Sequence, residues 1–138
     1  MKPDLQIGTT ASVEVDVTLD MRPAFNGTVV HDVCSTWDLV RHMETAARAV
    51  LAPNLEPHEE GIGSQVSIDH VAPAPVGCTL HVEARAEALS DSTLVCAIEA
   101  RTGETVVATG TQTQRIFPRD VIDDIMRRAK TSSESSDQ

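Results

Sequence analysis

The chain has 138 residues, a mass of 14.8 kDa and a formal net charge of −10. This length is typical of one domain, and the 41% hydrophobic and 23% charged residues exclude a fibrous or largely disordered chain. The acidic balance argues against nucleic-acid binding, which requires a basic surface. No apolar run approaches the roughly 20 residues of a membrane span. Three cysteines without CxxC spacing indicate no disulfide framework, so we expect a cytoplasmic protein without nucleic-acid or membrane partners.

The first predicted element is a half-buried strand. Apolar residues alternate with polar ones at Val13, Val15, Val17 and Leu19. Residues 21–34 carry Pro23 and the pair Asn26-Gly27, which are typical of turns. We therefore expect this second stretch to be irregular.

A helix is predicted next, because the apolar period changes from two residues to three or four. The apolar positions are Leu39, Val40, Met43, Ala46, Ala47, Val50 and Leu51. Ser35 and Asp38 form a predicted capping box at its start, and Pro53 ends it near Leu51. The expected helix has about 16 residues and a length of ~24 Å. His42 is assigned to its polar face.

Four strands are predicted after the helix. Val66, Ile68 and His70 share one strand face, and the apolar alternations continue at Leu80–Ala88, Leu94–Ala100 and residues 105–117. The short turns between the later segments predict an antiparallel meander. Pro118 is expected in the first turn of a short terminal helix containing Val121, Ile122, Ile125 and Met126. Residues 131–138 are predicted to be a polar, disordered tail.

This element order predicts an α+β hotdog fold: a curved antiparallel β-sheet wrapped around one long central helix, with a short C-terminal helix. Residues 1–130 would form the single hotdog domain. The edge strands of such a sheet are commonly protected by pairing between copies. We therefore expect a homodimer, with a dimer of dimers as an alternative.

Two titratable residues are the first candidates for chemistry. Glu44 shares the apolar stripe of the helix with Val40 and Ala47, and a carboxylate buried there needs a partner or a shifted pKa. The alternative is a carboxylate at the stripe edge that reaches solvent. His70 shares the face of Ile68, where it is either functional or an ordinary core histidine.

Four further residues have weaker claims. Thr36 lies at the helix N-terminus, where backbone N–H groups favour a developing oxyanion, although capping is its simpler role. Cys34 is either a thiolate stabilised by the helix end or a small buried hydrophobe. Gly63 permits a bend or a close backbone approach, and Arg115 is either solvated or an anion contact. No histidine spacing resembles HExxH, so we predict no metal.

Together these residues resemble a known pattern. It comprises Thr36-x7-Glu44-x-Ala46, then Ala52-Pro53-Asn54-Leu55-Glu56-Pro57, then Gly61-Ile62-Gly63-x2-Val66-x3-His70-x-Ala72-x-Pro75-x-Gly77. The pattern resembles the fluoroacetyl-CoA thioesterase branch of the hotdog acyl-CoA thioesterases. The similarity runs from about Val33 to Arg115.

The resemblance implies a homodimeric enzyme that hydrolyses a short- or medium-chain acyl-CoA thioester to the free acid and CoA, without a cofactor. Thr36, Glu44 and His70 would be catalytic, with Glu44 acting as base or nucleophile. Gly63 would lie near the thioester carbonyl, and Arg115 would contact the ligand. The segment before the helix lacks the phenylalanines of the family's lid, and Phe25 is the only ring nearby. We therefore expect an acyl group other than fluoroacetyl.

Two other functions stay open at this point. A hotdog enoyl-CoA hydratase would use an Asp/His pair, and Asp38 and His42 are four residues apart, but no Asn-Pro follows them. A non-catalytic acyl-CoA-binding module would bind the ester without releasing the thiol.

Overall fold

The computed structural model of the chain describes residues 1–136. Its strands are β1 (Thr10–Asp16), β2 (Ala24–Phe25), β3 (Thr28–Val29), β4 (Glu59–His70), β5 (Thr79–Leu89), β6 (Thr93–Thr102) and β7 (Thr105–Pro118), and its helices are α1 (Thr36–Leu51) and α2 (Arg119–Ser136). Five strands form one curved antiparallel sheet in the order β1-β5-β6-β7-β4, with α1 packed on one face. This is the predicted hotdog architecture.

Helix α1 begins and ends at the predicted residues. The Asp38 N–H donates to Ser35 Oγ at 3.2 Å, and the Ser35 hydroxyl donates to Asp38 Oδ2 at 3.0 Å, so the cap satisfies an N–H that has no partner within the helix. One 3₁₀ turn, Ala52–Asn54, continues the chain through Pro53. The helix buries Leu39, Met43, Ala46, Ala47, Val50 and Leu51 against the sheet.

The inner face of the sheet supplies the other half of the core. Alternate residues of β5 and β6 are buried, namely Leu80, Val82, Ala84, Ala86, Leu94, Cys96, Ile98 and Ala100. Ala88, predicted on this face, is exposed because the register shifts at a bulge between Ala86 and Ala88. Small and branched side chains therefore fill the space that aromatic rings occupy in many cores.

The strand order differs from the simple meander that the turns predict. Within the five-stranded sheet, β5, β6 and β7 are the consecutive neighbours, whereas β4 pairs with β7, with His70 opposite Ala108 and Gly61 opposite Ile116. The connection from β4 to β5 contains Pro73 and Pro75 and passes the start of α1, so it cannot form a tight hairpin. As a result, β4 is an edge strand.

Two predicted boundaries before α1 were wrong. Strand β1 ends at Asp16, and Leu19 lies exposed in a 3₁₀ turn. The segment predicted to be irregular contains the hairpin β2–β3, whose turn places Asn26 at φ 52° and Gly27 at φ 82°. Two consecutive positive φ values are what an Asn-Gly hairpin turn requires.

Strand β4, after the helix, also begins earlier than predicted, at Glu59.

The C-terminal helix is longer than predicted. Pro118 ends β7, α2 begins at Arg119, and residues 131–136 continue the helix where a disordered tail was predicted. Once a helix is nucleated, each added residue gains a hydrogen bond at little entropic cost, and the ion pairs of Asp124 with Arg127 and Arg128 support it. Residues 137–138 of the predicted tail lie outside the described residues.

His42 corrects a second prediction about α1. Its side chain is only 7% exposed, and Nε2 has no hydrogen-bond partner, although the apolar period assigned it to the polar face. The reason is that α1 packs against both β1 and β5, so the buried surface is wider than the apolar stripe. Burial lowers the pKa of His42, with the charge of Asp38 opposing this effect and that of Arg41 adding to it.

This burial predicts a loss of stability in mild acid. Because the pKa of His42 is lower in the folded state, the unfolded chain takes up the proton first as the pH falls below about 6.5. Urea denaturation between about pH 7.5 and pH 5.5 should show a decreasing free energy of unfolding. His42→Leu should flatten this dependence, whereas replacing the exposed His31 by Gln should not. An unchanged slope in His42→Leu would contradict the assignment.

Candidate active site

The structure joins two of the predicted site residues directly. Thr36 is the first residue of α1 and His70 is the last residue of β4, and Thr36 Oγ1 lies 2.9 Å from His70 Nδ1. Which atom donates depends on the histidine tautomer. Thr36 is exposed and His70 is half-buried, so the pair stands at the open end of the space between helix and sheet. Within residues 1–136, no hydrogen bond engages the other ring nitrogen, Nε2.

This contact exists because α1 runs antiparallel to β4. The far end of the helix meets the far end of the strand, where a Cβ atom at Gly61 would overlap the Leu51 side chain. Between these two ends, helical spacing places Val40, Glu44 and Ala47 on the same flank of the helix as Thr36 and Leu51. We call the space between this flank and the inner face of β4 the α1–β4 cleft.

Glu44 lies on this flank but is exposed, whereas the sequence places it within the apolar stripe. Its flank of the helix borders the edge strand β4, and within residues 1–136 the side chain is left exposed. Along the helix axis it lies about 12 Å from Thr36, since each residue rises about 1.5 Å. No hydrogen bond or ion pair found within residues 1–136 joins Glu44 to Thr36 or His70. A single chain therefore does not bring the three predicted catalytic groups together.

Gly63 belongs to the cleft, but far from the Thr36–His70 pair. It is opposite Gln114, on the same inner strand face as His70, and the register shifts between Gly63 and Gln65. The distance along β4 from His70 is about 20 Å at roughly 3.3 Å per residue. The predicted carbonyl-binding glycine thus lies toward the other end of the cleft.

Arg115 is not brought into the cleft. Its neighbours Gln114 and Ile116 are buried on the inner face, so alternation directs Arg115 to the outer face, where its guanidinium lies 5.0 Å from the Phe117 ring centroid. The inner face instead carries two buried amides, Gln112 and Gln114. Sequence reasoning missed them, although polar residues at the same parity as Gly110 and Ile116 were a visible signal.

A second ring near the site was also missed. Trp37, adjacent to Thr36, packs edge-to-face on Phe25 of the β2–β3 hairpin, with ring centroids 5.7 Å apart. Both rings are about half exposed, at 51% and 59%. The hairpin therefore covers the start of α1 with an apolar surface beside the Thr36–His70 pair. Trp37 adds a second ring there, next to Phe25.

Cys34 is a buried hydrophobe in this structure, not a reactive thiolate. Its side chain is fully buried, and burial, with smaller effects from Asp38 and Cys78, raises its pKa to about 11. Burial raises the pKa of Cys96 to about 11 as well. Neither thiol is a nucleophile near neutral pH.

The described residues hold neither a metal site nor a membrane-spanning helix. No group of three His, Cys, Asp or Glu side chains within residues 1–136 is arranged to hold a metal ion. No helix in the same range is long and apolar enough to cross a membrane.

The curved sheet around a single helix, with a threonine and a histidine paired at the helix start, defines a hotdog-fold domain of the thioesterase type. The sequence model of FlK, described as fluoroacetyl-CoA-specific thioesterase, matches residues 17–120. The chain therefore belongs to this family.

Three relatives show how far the similarity extends. A fluoroacetyl-CoA thioesterase of Streptantibioticus cattleyicolor is 29% identical over 86 residues, and the match spans 62% of each chain, less than two thirds of that relative. The crystal structure of a hypothetical protein of Thermus thermophilus, described as a thioesterase superfamily member, is 34% identical with a TM-score of 0.92, covering 98% of this chain and 99% of that one. The crystal structure of the fluoroacetyl-CoA thioesterase FlK is 22% identical with a TM-score of 0.81, covering 89% and 96%, and shows the shared fold.

The burial of the thiols predicts their order of alkylation. At about pH 8, iodoacetamide should label the half-buried Cys78 first, because Cys34 and Cys96 are buried and protonated. Mass spectrometry of peptides after timed labelling measures this order, and labelling in guanidinium, which should modify all three, is the control. Labelling of Cys34 as fast as that of Cys78 would show a reactive thiolate.

Proposed function

We propose that this protein hydrolyses a short- or medium-chain acyl-CoA thioester to the free acid and CoA, as a homodimer whose active sites combine residues of two protomers. The observation that carries this proposal is the Thr36–His70 contact at the N-terminus of α1 in a member of a thioesterase family. Three free cysteines fit a reducing cytoplasm, the compartment in which we place the enzyme.

The separation of the groups supports a shared site. In one chain, Glu44 and Gly63 lie about 12 Å and about 20 Å from the Thr36–His70 pair. Strand β4 is a long edge strand whose inner face is only partly covered, with Val66 37% exposed. Pairing with a second copy is one way in which an edge strand of this kind is covered.

Antiparallel pairing of β4 with itself would complete the site. A two-fold axis between Val66 and Ser67 sets Gly63 of the partner subunit opposite His70. Glu44 of the partner subunit lies near the axis on the flank that borders the paired strands, so its side chain reaches the same cleft from across the interface. Two identical sites then form per dimer, as isologous pairing requires.

The chemistry of this site follows from the groups it holds. Backbone N–H groups at the start of α1 and at Gly63 would stabilise the charge that develops on the thioester oxygen. Glu44 would remove a proton from water as the water oxygen attacks the carbonyl carbon. When the carbon–sulfur bond breaks, protonated His70 would give a proton to the leaving sulfur from Nε2 and regain one from Glu44.

In this scheme Thr36 orients His70, whereas its position at the helix N-terminus suggests capping or oxyanion stabilisation. Its hydroxyl contacts Nδ1 of His70, so it orients the imidazole and leaves Nε2 for the leaving group. Direct attack of Glu44 on the carbonyl, with a mixed anhydride as intermediate, uses the same geometry.

The positions of Asp38 and His42, the candidate pair of a hydratase, argue against that function. The Asp38 carboxylate accepts from the Ser35 hydroxyl in the helix cap, and His42 is buried within α1 packing. Neither group faces the α1–β4 cleft. A general acid–base pair needs access to the substrate.

The catalytic assignment predicts a large loss of turnover. Glu44→Gln and His70→Ala should each reduce kcat at least ~100-fold, because each removes a proton-transfer group. The release of CoA from a series of acyl-CoA esters, followed by chromatography, measures this, with exposed Glu104→Gln as a matched carboxylate control. Wild-type turnover in both variants would contradict the assignment, and tight ester binding without CoA release would indicate a binding module.

The shared site predicts complementation between inactive chains. A heterodimer of a Glu44→Gln chain and a His70→Ala chain has one site with both groups intact, so it should show about half of wild-type activity. Co-expression with two different affinity tags isolates the heterodimer, and each homodimeric variant is the control. A heterodimer as inactive as its parents would show that each site lies within one chain.

A further inference from the structure

The least satisfied side chain facing the sheet interior is Gln112. It lies on the inner face of β7, is 4% exposed, and its Oε1 has no hydrogen-bond partner. The neighbouring amide shows the contrast, because Gln114 Nε2 donates to the Ala47 carbonyl oxygen at 3.1 Å. Among the hydrogen bonds of residues 1–136, none involves the amide of Gln112. A buried amide without a partner costs folding free energy, which an apolar side chain of the same size would avoid.

The amide of Gln112 ends at the α1–β4 cleft. Its Nε2 lies 3.2 Å from the position that a Cβ atom at Gly63 would occupy, and Gly63 is exposed. A ligand that enters over the exposed Gly63 backbone would therefore meet the buried amide without displacing a side chain at this position. Rotation about the last side-chain bond presents either the oxygen or the nitrogen to this opening.

The amide also lies at the level of Glu44. Because α1 meets His70 at one end of β4 and Gly61 at the other, its midpoint lies above Val66, and Val66 is opposite Gln112 in the sheet. Two groups extend from a thioester placed for attack beside Glu44, namely CoA and the acyl chain. The charged nucleotide arm of CoA must lead to solvent, so the acyl arm points inward, toward Gln112.

We infer that Gln112 hydrogen-bonds a neutral polar group on the acyl chain, so that the preferred substrates are short hydroxyacyl- or ketoacyl-CoA esters. This inference rests on the proposed thioesterase function. A hydrocarbon chain would leave the buried amide unpaired, whereas a hydroxyl or keto oxygen would satisfy it. A carboxylate substituent is disfavoured, since Arg48 on the same helix flank is already paired with Glu60 at 2.7 Å.

The test compares esters that differ by one oxygen. For the wild-type dimer, kcat/KM for 3-hydroxybutyryl-CoA or acetoacetyl-CoA should exceed that for butyryl-CoA by at least ~10-fold, since sites built to hydrogen-bond a substrate discriminate strongly against analogues lacking the group. Gln112→Met, which keeps the length of the side chain, should bring this ratio close to one. Gln114→Met is the control, because its amide is bonded within the chain and the ratio should persist.

The possible failures are distinguishable. A wild-type ratio near one contradicts the inference even if the Gln112→Met protein does not fold. A ratio that is unchanged in folded Gln112→Met, judged by circular dichroism and dimer mass, contradicts it as well. In both cases the proposed hydrolase stands. If the wild-type protein releases CoA from none of these esters or from a wider acyl-chain series, the proposed function fails and the inference fails with it.

Discussion

The antiparallel packing of α1 along β4 is the constraint on which the rest of this structure depends. It is set at one end by the Thr36–His70 contact and at the other by the absence of a side chain at Gly61, which lets Leu51 approach the strand. Each of these contacts involves one residue of the helix and one of the strand, yet together they determine the direction of the helix over the sheet. That direction decides which helix flank borders the edge strand, and therefore which side chains can meet a ligand.

The edge position of β4 explains why functional groups are exposed in a single chain. A helix flank over a central strand is covered on both sides, but a flank over an edge strand is covered on one side only. Glu44 and Gly63 lie at this open side, and Trp37, about two turns before Glu44 on α1, is exposed as well. An incomplete surface of this kind is a cost for an isolated chain, and in the proposed dimer a second copy covers it.

The two buried polar groups without partners differ in their setting. His42 faces the side of α1 that packs on β1 and β5, away from the cleft, and its burial is expressed as a lowered pKa. Gln112 lies beneath the cleft, where its amide borders the space that a side chain at Gly63 would fill. A buried polar atom without a hydrogen-bond partner therefore has a different consequence at each residue. At His42 we expect pH-dependent stability, and at Gln112 we propose ligand recognition.

The sequence by itself determined the class of fold, the bounds of α1 with its Ser35 cap, and the apolar alternation of β5 and β6, because these depend on contacts between residues close in the chain. It also singled out Thr36 and His70, 34 residues apart, as separate candidates, but their joint role came only from the resemblance to a family pattern.

Only the tertiary structure decided that β4 pairs with β7, that Arg115 faces outward and that Glu44 is exposed. Strand order and sheet face depend on a long crossover and on β-bulges, each of which shifts a register without leaving a periodic signal. For the same reason the partners available to Gln112 and His42, and hence their roles, became visible only when distant segments were packed together.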